Sequence, residues 1–167
     1  MLETGRLDEA LAVVEDVLPG IEKLVKDDKR DRSMPPEIDS RNYFIRQAWA
    51  ELLARKGEAL ARTGKPTDAA KAIRQAIEII EDLCKQEPCY LDDLAHHLTL
   101  ASTLPGIAGI DHAADRAIKA LSDYIASGFD NPYKLRHDPR LEPLRKRDDF
   151  QKMVKDLETR LSIKPEK

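Results

Sequence analysis

The chain has 167 residues, 41% of them hydrophobic and 35% charged, with seven glycines, two cysteines and a formal net charge of −3. That apolar fraction excludes a fully disordered chain, and so few glycines argue against a loop-rich β protein. Two cysteines cannot build a disulfide framework, so a reducing, cytoplasmic setting is expected.

Apolar residues at spacings of three and four predict a first helix from about Leu7 to Val25, carrying Leu11, Val14, Leu18 and Ile21. Pro19-Gly20 sits inside it and predicts a kink, because proline removes a hydrogen bond and clashes with the preceding turn. A charged loop at about 27–40 follows, ending in Met34-Pro35-Pro36. A second helix, Arg41 to Thr63, bears Ile45, Trp49, Leu52, Leu53 and Leu60, and its register makes Trp49 a core residue. Gly57 lies in mid-helix, where glycine costs about 1 kcal/mol against alanine and marks a close approach of another backbone. Gly64-Lys65-Pro66 ends this helix, and Thr67 starts a long one striped by Ala69, Ile73, Ala76, Ile77, Ile80, Leu83 and Cys84. A third pair runs from Tyr90 to Ser102 and from Asp111 to Gly128, broken at Pro105-Gly106. No segment alternates with a strand's period of two, so no sheet is expected.

Three glycines share one layout: Gly5 to Ala10, Gly64 to Ala69 and Gly109 to Ala114. Each glycine ends a helix, and an alanine five residues later lies in the first turns of the next. Larger apolar residues follow at Val14, Ile73 and Ile118, then Val17, Ala76 and Leu121. A small residue lets helices approach, and the larger ones fill the groove beside it. Gly57 and Ser102 stand seven residues before Gly64 and Gly109. The pattern resembles the tetratricopeptide repeat, most clearly across Ala50 to Ile77, although the glycine spacings of 59 and 45 exceed that repeat's period of about 34. Further on come Ser127-Gly128-Phe129, Asp138-Pro139-Arg140-Leu141-Glu142-Pro143-Leu144-Arg145 and Asp149-Phe150-Gln151. They are similar to a recurrent ending of the repeat-bearing C-terminal regions of bacterial serine/threonine protein kinases. Asp138-Pro139 is also a good cap and first-turn pair for a short helix, and Asp148 and Asp149 open a last amphipathic one.

The expected architecture is all-α: an array of antiparallel helical hairpins over 1–131, tetratricopeptide-like and right-handed, with an incomplete first repeat and capping helices over 132–167. Catalytic motifs are missing. There is no Gly-rich phosphate loop, His-Arg-Asp or Asp-Phe-Gly, so no catalysis is expected from these residues and no cofactor. Cys84, Cys89, His96 and His97 are zinc-competent types within 14 positions, but Cys84 lies on the apolar stripe and adjacent histidines point about 100° apart on a helix. A zinc-stabilised domain therefore ranks last, and no metal site is assigned.

Charge is uneven, with 11 Lys/Arg against 7 Asp/Glu from Lys134 onward and 17 against 24 before it. This is not the concentrated basic stripe of a nucleic-acid binder, and Arg136, Arg140, Arg145, Lys146 and Arg147 read as a solvated face partly paired with Asp148 and Asp149. The longest uncharged run, 94–110, is too short and too polar for a membrane span. The resemblance implies a binding module whose concave surface takes a protein or peptide, within a larger signalling protein such as a serine/threonine kinase. On that geometry Glu51, Arg55, Glu58, Arg62, His96 and Thr99 would meet the partner. The alternative is a structural or oligomerising spacer, with self-association through the first helix.

Overall fold

The computed structural model describes residues 2–27, 40–104, 110 and 112–162. All of its regular structure is helical: α1 (Leu2–Asp27), α2 (Ser40–Arg62), α3 (Pro66–Cys84), α4 (Leu91–Thr103), α5 (Ala113–Ala126), α6 (Pro132–His137) and α7 (Asp148–Ser162). Short 3-10 segments at Pro88–Tyr90 and Pro139–Leu144 join them. The charged loop, Pro105-Gly106 and the Gly109 turn fall outside the described residues. Among those residues no helix is long and apolar enough to cross a membrane.

α1 runs through Pro19 as one helix, longer at both ends than its apolar pattern implied. It also runs through Gly5, so the glycine-turn layout expected there is corrected: Gly5 is a helix-interior residue. Strong helix formers around it (Leu2, Glu3, Arg6, Leu7) outweigh the roughly 1 kcal/mol that one glycine costs.

α2 and α3 form an antiparallel hairpin. Tyr43 near the start of α2 hydrogen-bonds Gln86 beyond the end of α3, Arg46 pairs with Asp82, and Gly57 lies against Ile73. The turn between them is set by Gly64, whose φ of 79° permits a left-handed cap in which Lys65 N donates to Leu60 O and Gly64 N to Ala61 O. Gly128, with φ of 116°, ends α5 the same way through Phe129 N to Tyr124 O. α3 buries Ala69, Ile73, Ala76, Ile77, Ile80 and Leu83, the stripe visible in the sequence, with Cys84 half-buried at its edge. Trp49 packs half-buried against the same core.

α4 packs on α3 and α5, and Arg116 of α5 reaches back to Glu81 of α3 at 2.7 Å. The C-terminal part closes over these helices. α6 was not legible as a helix; Asn131 caps it by accepting from Lys134 N, with Pro132 at its first position. The short helix expected from Asp138-Pro139 is a 3-10 segment whose Pro143 has no N–H to donate. α7 buries Phe150, Val154 and Leu157. Arg147 ties its first turn to α5, pairing with both Asp149 and Asp115 (2.7 and 2.6 Å).

Candidate functional site

α2 and α4 lie side by side and parallel. Gln47 donates to Asp93 at 2.7 Å, and one turn further along both helices Glu51 faces His97 at 4.0 Å. The 3-10 segment Pro139–Leu144 crosses the end of α4, and the three walls enclose a groove of about 290 Å³. All six residues singled out from the sequence line it. Their places differ. Glu51, Arg55, Glu58 and Arg62 form a ladder along α2, with Arg55 Nε on Glu51 at 2.9 Å and Arg62 on Glu58 at 2.6 Å. Thr99 is fully buried, and its hydroxyl donates to Ala95 O at 2.7 Å. His96 lies beneath the groove rather than on its rim.

Two imidazoles form the floor. The Nδ1 of His97 lies 2.7 Å from Asp93 O, and because a carbonyl only accepts, Nδ1 carries the proton there. Its Nε2 is then an acceptor when neutral; it is buried and has no hydrogen-bond partner. His96 sits between two carboxylates, with Nε2 3.1 Å from Asp138 Oδ2 and 3.6 Å from Asp92 Oδ1. Neither approach is aligned as a hydrogen bond, and Nδ1 is unpartnered too.

The carboxylates are engaged elsewhere. Lys134 Nζ donates to Asp92 Oδ2 at 2.6 Å. Arg140 grips Asp138 through Nε (3.1 Å), NH2 (2.9 Å) and its backbone N (2.9 Å), so Asp138 also caps the 3-10 segment. Arg145 donates to the Asp138 carbonyl at 2.8 Å. Carboxylates and cations thus face one another around a buried imidazole. Burial, above all, pushes His96 below its usual range, with Arg140 acting the same way and Asp92 and Asp138 opposing. Burial would raise Asp138, but the hydrogen bonds from Arg140 outweigh it and hold the carboxyl at about 2.

The walls between these groups are apolar: Ala54, Leu100, Pro139 and Pro143. Of the sulfur ligands weighed from the sequence, Cys84 is half-buried and its thiol is pushed up to about 12, by burial first and then by Asp93. A thiol that holds its proton so firmly is a poor nucleophile. Among the described residues no three His, Cys, Asp or Glu side chains converge as metal ligands. The expected pairing of the basic tail with Asp148 and Asp149 holds for Arg147 with Asp149; Arg136 pairs with Glu158 and Arg140 with Asp138.

His97, Asp92, Lys134, Asp138 and Arg140 are the site residues that the sequence did not mark. His96-His97 and Asp138-Pro139 were visible as local features, but Lys134 meets Asp92 from 42 positions away and no spacing announces it. Compared with known families, characterised proteins and solved structures, the chain gives no match.

Proposed function

We propose that the chain is a non-catalytic protein-interaction or regulatory module that takes a protein or peptide segment into the groove between α2 and α4. The observation that carries this is the groove itself, with apolar walls at Ala54, Leu100, Pro139 and Pro143 beside the exposed charged ladder of α2. His97 Nε2 and both ring nitrogens of His96 are buried without hydrogen-bond partners, and such atoms cost about 1–3 kcal/mol each when left unsatisfied. Those atoms are sealed beneath the groove, and an extended segment lying in it would set its side chains against Leu100, Pro139 and Pro143. The Arg–Glu ladder of α2 supplies an exchangeable polar rim.

The parallel setting of α2 and α4, with α3 antiparallel to α2, supports a tetratricopeptide-like arrangement in which these two are the groove-lining first helices. The residue pattern over 125–151 supports a place within a larger bacterial signalling protein such as a serine/threonine kinase.

The test is selection from a random peptide library followed by resonance mapping. Selected peptides are expected to shift the amides of α2 and α4 along the groove and to bind the Glu58→Lys/Arg62→Glu variant at least tenfold more weakly. Peptides that map to another face, or that bind this variant unchanged, would overturn the proposal.

A further inference from the structure

α1 packs on α2 along one side, burying Leu11 and Leu18 and half-burying Val14 and Ile21. Another side carries Val13, Val17 and Leu24, exposed by 64%, 42% and 58%. Gly20 continues that stripe, and a Cβ built there would meet nothing within 4 Å. The positions 13, 17, 20 and 24 are spaced by four, three and four, the seam spacing of paired helices.

We propose that this seam is a self-complementary interface, pairing antiparallel with the same seam of a second copy of the chain. The register follows from the residues themselves. With a two-fold axis at the level of Leu18 and Pro19, Val13 of one copy meets Leu24 of the other, and Val17 meets Gly20. One such match forces its mirror, because a two-fold interface uses the same patch twice. Every large residue then faces its counterpart and the glycine receives a valine. A parallel pair would set Gly20 against Gly20 and leave a void between the helices.

Charge agrees with the antiparallel register. Asp16 and Lys23 flank the seam on the same side and are both exposed. In the antiparallel pair Asp16 of each copy comes within a turn of Lys23 of the other, giving two opposite-charge contacts. Gly20 points the same way. A helix-interior glycine costs about 1 kcal/mol, and among the described residues nothing packs against this one. A second helix seated on it gives the missing side chain a use. Pro19 lies roughly a third of a turn around the helix from the seam and stays out of the contact. The inference is independent of the groove, which lies on α2 and α4.

The experiment is sedimentation equilibrium of the full chain from micromolar to millimolar concentration, with charge-reversal variants. The wild type is expected to pass from monomer to dimer. Asp16→Lys and Lys23→Asp should each weaken the dimer by at least about fivefold, the double variant Asp16→Lys/Lys23→Asp should restore it, and Val17→Glu should abolish it. All three substitutions lie on the helix surface, and far-UV dichroism checks that they leave the fold intact. Under mild oxidation, Val13→Cys mixed with Leu24→Cys should give a 13–24 disulfide identified by mass spectrometry. A monomer at every concentration would overturn the proposal. A dimer indifferent to the charge reversals, or one linked 13 to 13 more readily than 13 to 24, would overturn it as well.

Discussion

Charged side chains of both signs lie around the His96 site: Asp92 and Asp138 beside the ring, Lys134 and Arg140 behind them, with Asp93 acting on the ring as well. Since burial lowers the folded-state affinity of His96 for a proton, the unfolded chain binds more protons there below about pH 6.5. The stability that depends on the neutral ring is therefore complete above that pH and declines as pH falls through it. Urea midpoints measured from pH 8 to 5 should drop on the acid side, and His96→Asn should flatten that slope. A wild type that gains stability on acidification would show instead a charged imidazole held by the two aspartates. Asp138 titrates at about 2 rather than near 3.9, so its contribution is present above about pH 4 and disappears as pH falls through 2. At neutral pH Asp138→Asn should cost roughly 2 kcal/mol, with the difference from wild type vanishing below pH 2.

Two glycines inside helices show how one residue type serves different ends. A Cβ at Gly57 would strike Ile73 Cγ1 and come within 3.1 Å of Ala69 O, and Ile73 is branched and fully buried, so it cannot swing aside. Gly57→Ala should therefore destabilise by about 1–3 kcal/mol in denaturant melts, overpacking outweighing the gain in helix propensity. Among the described residues nothing lies near a Cβ at Gly20, and at high dilution Gly20→Ala should stabilise by up to about 1 kcal/mol. If Gly57→Ala left stability unchanged or raised it, the α2–α3 contact at Ile73 would not be as close as described.

One buried cluster extends from Leu18 of α1 through Ile73 and Leu98 to Leu141, Phe150 and Leu157 of the C-terminal part. Helices that share a core have no reason to melt apart, so unfolding should be a single transition. Trp49, the sole tryptophan, reports on α2. Leu141→Ala, made at a site 1% exposed at the far end of the cluster, should cost about 2–5 kcal/mol. Trp49 fluorescence and far-UV dichroism should then shift together. A fluorescence transition that stayed put would mean that the C-terminal part folds as a separate unit.

Local pattern was enough for the helical class, for the stripe of α3, for the glycine caps at 64 and 128 and for the tight place at Gly57, because each depends on residues within one or two turns. It was also enough to put Glu51, Arg55, Glu58 and Arg62 on one face of α2, since steps of three and four return to the same side of a helix. It misjudged Gly5, where helix formers on both sides carried the backbone through, and it gave no sign of α6. Only the tertiary structure could set α2 beside α4, bring Lys134 to Asp92 and Asp138 to His96, and so turn two adjacent histidines into a buried floor. Those contacts join helices far apart in the chain, and their geometry depends on how the C-terminal part settles over α4. Sequence periodicity fixes which face of a helix is apolar; which other face it meets is decided by packing the whole core.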